Sequence, residues 1–185
     1  LKTDFFWKPL KGYWWIIPGI LFFAEAFSTS GFFSKFGGGA MYHWQPYVGV
    51  LEMMDQGGFL LWDTPSTYGF LSLVIPYLIP FGNAWQKIYI VNGILSLALG
   101  LLIIKITWNK KGLIWYLISI SMTLALVYYL PGGRNLNNPA ETPSGGAMRF
   151  FWVVLLMYVV VRVREKKFKS QIYIITPIWL VGFLW

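Results

Sequence analysis

The chain alternates between long apolar runs and short polar segments. Five of the runs approach the length of about 20 residues that a transmembrane helix needs. They lie at roughly 12–28, 84–108, 112–130, 149–163 and 171–185. This pattern predicts an all-α, polytopic membrane protein with about five transmembrane helices.

Two further features of the pattern need an interpretation. A sixth apolar run, 68–81, contains Pro76 and Pro80, and proline removes a backbone donor and disrupts a helix. We therefore interpret this run as a re-entrant or interfacial segment. The first run follows lysines but has no small-residue cleavage motif, so we interpret it as a retained span and not as a signal peptide.

Composition agrees with a membrane location. The chain is 57% hydrophobic and only 12% charged, whereas soluble domains are roughly 25% charged, so a soluble enzyme is close to excluded. The formal charge of +8 lies in clusters between apolar runs, which indicates membrane topology and not a nucleic-acid partner. The chain has no cysteine, which excludes disulfides and thiolate metal sites.

The positive-inside rule predicts the orientation. Five spans with a cytoplasmic N-terminus place eleven of the fifteen lysines and arginines on the cytoplasmic side. Two outer loops, about 28–83 and 131–148, then face the non-cytoplasmic side of a single membrane domain, 1–185. The chain opens without Met and stops inside an apolar run, so we expect it to be part of a longer protein.

The first outer loop contains a predicted amphipathic helix. It runs from Pro46, acceptable in a first turn, to Gln56, before Gly57-Gly58 as a stop. Its apolar residues recur at helical spacing, which suits a helix lying on the membrane surface. They are Tyr47, Val50, Leu51 and Met54.

Four acidic residues on this side are candidates for chemistry. Glu25 stands in an apolar span, where a carboxylate is costly and indicates function, unless it lies at the headgroup level as an interface anchor. Glu52 and Asp55 share one side of the predicted helix, as a catalytic pair or as a solvated face. Asp63 either binds substrate or caps a turn through its side chain.

His43 is the only histidine in the chain. It is a candidate general base, or else a packed or interfacial side chain. We expect no cofactor, although a divalent metal held by carboxylates stays open.

The second outer loop is rich in Gly, Asn and Pro and carries Arg134 and Arg149. Glycine allows close backbone approach to a ligand, and arginine can hold a phosphate. We therefore consider phosphate binding here, beside the alternatives of an ordinary loop and of an Arg149 that reaches the interface.

A set of short motifs follows the first span in a recognisable order. They read His43-Trp-Gln-Pro-Tyr47, Glu52-Met-Met, Gly57-Gly58, Pro65-Ser-Thr-Tyr68-Gly-Phe-Leu and Pro80-Phe-Gly82. Over about residues 10–110 this order resembles the C-type glycosyltransferases that use polyprenyl-phosphate sugars. His43 stands where that family has its catalytic Asp of the first loop, and the chain has fewer spans than the family. The resemblance is therefore that of a divergent or truncated relative.

The resemblance implies an inverting transfer of sugar from a lipid phosphate to an acceptor hydroxyl. His43, Glu52, Asp55 or Glu25 would take the acceptor's proton, and Arg134 or Arg149 would stabilise the leaving phosphate. The remaining substrate-binding candidates are Tyr47, Trp62, Asp63 and Tyr68. A non-catalytic membrane subunit that packs against partner subunits is the alternative, and a transporter ranks third.

Overall fold

The computed structural model describes residues 13–27, 40–64, 69–108, 112–129 and 146–185, with side chains from Trp44 onward in the second of these ranges. The described residues form helices and no strand; Leu60 and Thr64 make one isolated bridge. The all-α prediction is confirmed for this part of the chain. The helices are α1 (Ile16–Ala26), α2 (Ala40–Asp55), α3 (Leu71–Tyr77), α4 (Ala84–Thr107), α5 (Leu113–Thr123), α6 (Ala147–Val163) and α7 (Phe168–Leu184).

Helix α4 is the centre of the bundle. It begins with a capping box, in which the Asn83 side chain accepts a hydrogen bond from the Gln86 N–H (2.9 Å) and the Gln86 side chain accepts one from the Asn83 N–H (3.1 Å). Lys105 lies in the last turn, where a cation complements the helix dipole. Every other described helix except α7 packs against α4.

Helices α1 and α4 pack closely because glycines let the aromatic rings of α1 approach. A Cβ added at Gly100 would lie 2.7 Å from the Phe22 ring, and one at Gly93 would lie 2.5 Å from the ring of Phe27. Because the earlier residue on α1 meets the later one on α4, the two helices run antiparallel. A larger residue at Gly93 or Gly100 would therefore require the Phe27 or Phe22 ring to move.

Helix α5 continues as a π-helical segment, Leu124–Tyr129. Its Tyr128 is buried, and the hydroxyl donates a hydrogen bond to the Ser96 carbonyl (2.9 Å) in α4. The Tyr128 ring also packs on Phe22 at a centroid distance of 5.3 Å. One buried tyrosine therefore joins α5, α4 and α1.

Helix α2 differs from its prediction in two ways. It begins at Ala40, so Pro46 lies inside the helix and not in its first turn. The predicted apolar stripe exists, but Tyr47, Val50 and Leu51 are buried in the core and the helix packs on α3 and α4. The apolar stripe therefore packs against other helices of the protein and not against a membrane surface. The sequence pattern did not show this, because α3 and α4 come next to the stripe only when the chain is folded.

Each of the five predicted spans contains a helix, and the run 68–81 contains only the seven-residue α3, in agreement with a non-spanning segment. By length and composition α4 alone, at 24 residues, is a clear candidate to cross a membrane among the described helices. The apolar helix Ile16–Ala26 has 11 residues and Phe168–Leu184 has 17. Helix length alone therefore identifies one candidate span among the described helices.

Candidate functional site

A cavity of about 650 Å³ opens at the end of the bundle where α4 begins. Its walls come from α2, from Gly69 before α3, from the start of α6 and from the end of α7. Helix α2 is held there through Trp44, which packs edge-on against Trp85 in the first turn of α4 at 4.8 Å between ring centroids. The volume lies within the range of roughly 300–1,000 Å³ of small-molecule sites.

The cavity walls are mainly aromatic and aliphatic. Helices α6 and α7 pack against each other along one side, and a Cβ at Gly182 would lie 3.0 Å from the Trp152 side chain. Trp179 and Phe183 stack on each other at 5.5 Å and remain half-exposed or more. Such a wall suits the apolar chain or ring of a ligand, and its exposed side gives the ligand a way in.

Arg149 is the one cation among the described residues that line this cavity. It lies in the first turn of α6, is exposed, and has its guanidinium 5.8 Å from the centre of the Phe150 ring. No described side chain caps the start of α6 at Gly146, and a helix N-terminus carries a partial positive charge that favours anions. Among the described residues, the rim of the cavity thus carries one cation and a helix N-terminus, and the wall is mainly apolar.

Two tryptophans in the wall have buried polar atoms. The indole N–H groups of Trp152 and Trp185 are shielded from solvent and donate to no acceptor among the described residues. Both side chains line the cavity, and their ring centroids lie 5.6 Å apart. A buried donor without an acceptor costs roughly 1–3 kcal/mol.

The carboxylate of Asp55 lies in an ion pair outside the cavity. Its Oδ1 is 3.1 Å from the Lys87 Nζ, and Lys87 also lies over the Tyr77 ring at 5.7 Å. The Lys87 side chain is 10% exposed and that of Asp55 is 41% exposed. These contacts tie the ends of α2 and α3 to the first turn of α4.

The other candidate carboxylates are also separate from the cavity. The Asp63 Oδ2 accepts a hydrogen bond from the Phe59 N–H (2.8 Å), which is the kind of contact that the turn alternative describes. Glu25 is partly buried in α1 and does not line the cavity. Glu52 is exposed on α2. None of the described lining residues is acidic.

Of the predicted site residues with described side chains, the structure brings Tyr47 and Arg149 together in the cavity. Trp62 is 89% exposed and lies apart from it. His43 belongs to α2, one turn before Tyr47, and its side chain lies outside the described residues, as do Arg134 and Tyr68. Within the described part of the chain, no three His, Asp or Glu side chains cluster in a way that would hold a metal.

The tryptophans of α6 and α7 line the cavity although the sequence pattern did not indicate a site there. Trp152, Trp179 and Trp185 stand in apolar runs that were interpreted only as spans. The one available signal was their spacing, since Trp179 and Phe183 are four apart on α7 and share a helix face. No family model, no curated protein and no solved structure matches this chain.

Proposed function

We propose that this chain is a multi-pass integral membrane protein. The support is the number of large apolar side chains that the described helices expose: Ile17, Ile20 and Phe23 on α1; Ile114, Trp115, Leu117 and Met122 on α5; Val153, Met157 and Val161 on α6; and Ile172, Leu180 and Phe183 on α7. Soluble monomers rarely expose contiguous apolar patches larger than a few hundred Å². Contact with lipid would remove all of these apolar faces from water.

The charges of the described residues support one orientation. Lys87 and Arg149 are the cations at the cavity end, whereas the opposite end carries Lys105, Arg162, Arg164, Lys166, Lys167 and Lys169. Cytoplasmic flanks collect lysine and arginine. The cavity would therefore face the non-cytoplasmic side.

A labelling experiment tests this orientation on a chain without native cysteine. The exposed residues Gln56 and Ser170 lie near opposite ends and can be replaced one at a time, as Gln56→Cys and Ser170→Cys. We expect an impermeant thiol reagent on intact cells to label position 56 and to reach position 170 only after permeabilisation. Labelling of both positions in intact cells would contradict a membrane-embedded bundle in this orientation.

We further propose that the cavity binds a polyprenyl phosphate that carries a sugar. The observation that supports this most directly is the apolar cavity of about 650 Å³ with Arg149 at its rim. The prenyl chain would lie along Trp179 and Phe183, and the phosphate would meet the guanidinium and the uncapped start of α6.

Binding of farnesyl phosphate and of farnesol to the purified protein in lipid nanodiscs tests this proposal. We expect Arg149→Gln to weaken farnesyl phosphate about 10-fold, since a hydrogen bond to a charged group contributes roughly 1.5–3 kcal/mol. Arg162→Gln, at the opposite end and over the Tyr158 ring, is the matched control and should leave binding unchanged. An equal loss in both variants would argue against a phosphate site at Arg149.

The proposed reaction is transfer of the sugar to an acceptor hydroxyl, with His43 as the general base. His43 lies one turn from the cavity residue Tyr47 in α2, whereas Glu52, Asp55 and Glu25 do not line the cavity. We expect His43→Ala to abolish transfer from a polyprenyl-phosphate sugar and to leave farnesyl phosphate binding intact.

One observation favours a second candidate function, a non-catalytic lipid-binding subunit of a larger membrane complex. Asp55 and Asp63 each make a structural contact, and the described wall of the cavity has no carboxylate. In that case the unsubstituted protein would bind farnesyl phosphate and show no transfer. The same two assays therefore distinguish the two functions.

A further inference from the structure

A second cavity, of about 450 Å³, lies on the outside of the bundle between α1 and α4. Its described lining is entirely apolar and includes Trp15, Gly19 and Phe23 on α1 with Leu97 and Leu101 on α4. Trp15 and Phe23 are exposed, so the cavity is an open groove, here called the α1–α4 groove. Because Gly19 stands four residues from each ring, it leaves a gap between them. A hydrocarbon chain suits such a gap.

Lys105 extends one wall of the α1–α4 groove toward the end of α4. It follows Leu101 by four residues and Leu97 by eight, and residues four apart form one ridge along a helix. The two lining leucines and Lys105 therefore belong to the same ridge of α4. The apolar part of this ridge ends at a cation.

The Lys105 ammonium lies beside the start of α1. Its Nζ is 5.1 Å from the centre of the Trp14 ring, and Trp14 directly precedes the lining residue Trp15. This agrees with the antiparallel packing of the two helices, which places the first residues of α1 beside the last turn of α4. Lys105 is exposed, and no described carboxylate forms an ion pair with it. Its charge is therefore available to an anion at this end of the groove.

The combination of an apolar groove and a terminal cation fits a lipid with an anionic headgroup. In the proposed orientation Lys105 lies on the cytoplasmic side, where anionic lipids are concentrated and basic sites between transmembrane helices bind their headgroups. An apolar helix of a partner protein would fill the groove but would leave the lysine without a counter-ion. A zwitterionic lipid would bring no net charge to it.

We propose that the α1–α4 groove binds an acyl chain of an anionic phospholipid from the surrounding bilayer, with the lipid phosphate paired to Lys105. The inference rests on the proposed membrane location. It does not depend on the sugar-lipid cavity, which lies at the other end of the bundle.

Native mass spectrometry of the purified protein, released from micelles that contain phosphatidylglycerol or phosphatidylcholine with the same acyl chains, tests the charge. We expect Lys105→Gln to weaken phosphatidylglycerol binding about 5-fold and to leave phosphatidylcholine binding unchanged. Lys169→Gln is the matched control, since Lys169 is exposed at the same end of the bundle on α7. It should change the binding of neither lipid.

Substitution of Gly19 tests the groove itself. A Cβ at this position would meet only the Trp15 ring, at 3.9 Å, which is an ordinary van der Waals contact. Gly19→Leu should therefore leave the helix packing intact, fill the groove and weaken the binding of both lipids about 10-fold, as the loss of about two buried methylene groups would. Gly19→Ala is the matched control at the same site and should weaken binding less, because it adds one methyl group.

Three results would overturn the inference. Equal loss of phosphatidylglycerol in Lys105→Gln and Lys169→Gln would mean that the lysines act only as a general basic surface. Unchanged lipid binding in Gly19→Leu would place the lipid elsewhere. A dimer mass that Gly19→Leu converts to a monomer would show that a second copy of the chain fills the groove. The thiol labelling of positions 56 and 170 tests the membrane location separately, so failure of the inference and failure of that proposal are distinguishable.

Discussion

The two ends of the helical bundle use the same residue types in opposite ways. At the end where α4 finishes, Trp108 packs between Trp14 (5.9 Å) and Tyr116 (5.0 Å), and the Tyr116 hydroxyl donates to the Trp14 carbonyl. At the end where α4 begins, Trp152 and Trp185 also contact each other (5.6 Å), but together with Trp179 they line a cavity as well. The aromatic residues of the chain therefore do two things: at one end of the bundle they pack against each other, and at the other end they also form the wall of a cavity.

Charge sharpens the contrast between the ends. The packed end holds six of the eight cations in the described part of the chain, and one of them, Lys105, lies over the Trp14 ring at 5.1 Å. The cavity end holds two cations with separate positions: Lys87 is buried against Asp55, and Arg149 is exposed at the rim. The first end is suited to fix the bundle, and the second is suited to receive an anion.

The largest expected effect comes from breaking the packed end. Trp108→Ala removes a side chain that is 9% exposed, and we expect it to lower the free energy of unfolding by about 3 kcal/mol, since truncating buried aromatics costs roughly 3–5 kcal/mol. Equilibrium unfolding in mixed micelles measures this loss. Trp62→Ala, at an 89% exposed position, should stay within about 0.5 kcal/mol, and similar losses in both variants would contradict the contrast.

Asp55→Asn tests the ion pair at the cavity end. It leaves the Lys87 ammonium, whose side chain is 10% exposed, without its anion, and we expect a loss of about 1.5 kcal/mol, reduced from a fully buried pair because Asp55 is 41% exposed. The double variant Asp55→Asn with Lys87→Met should recover part of that loss. The matched control is Glu52→Gln, exposed on the same helix. An equal loss there would show that the pair contributes nothing specific.

Tyr116→Phe probes one hydrogen bond at the packed end. The substitution removes the donor to the Trp14 carbonyl and keeps the ring against Trp108, so we expect a loss of about 1 kcal/mol in the same unfolding assay. Tyr173→Phe, at a position 78% exposed, is the control and should have no measurable effect. A silent Tyr116→Phe would mean that the ring alone holds α5 to the start of α1.

The smallest expected effect lies between the two ends, at Asn92. Its side-chain oxygen is buried without a hydrogen-bond partner among the described residues, and the residue is 2% exposed. Replacing an unpaired buried polar group by an apolar one of similar size is neutral or stabilising, so Asn92→Leu should raise the free energy of unfolding by up to about 1 kcal/mol. A clear loss would show that something pairs with Asn92 in the protein.

Tertiary structure altered the predictions most where residues distant in sequence meet. The local pattern located helices in all five long apolar runs and predicted a non-spanning segment at 68–81, where the structure has the seven-residue α3. It misplaced the start of α2, because Pro46 is tolerated inside that helix while Trp44 and Tyr47 are buried on either side of it. The spacing of the α2 residues predicted an apolar stripe, but nothing local predicted that α3 and α4 are the helices that pack against it.

By itself the sequence determined the all-helical class of the described chain, the position of each long helix and the separation of charge between the ends. These follow from the run length of apolar residues and from where lysine and arginine interrupt them, which are local properties. Only the tertiary structure decided which residues share one cavity, namely Tyr47, Arg149, Trp152 and Trp185. It also decided that the Asp55 carboxylate forms an ion pair with Lys87. Helical periodicity shows which residues share a face, but which faces meet depends on the packing of helices far apart in the chain.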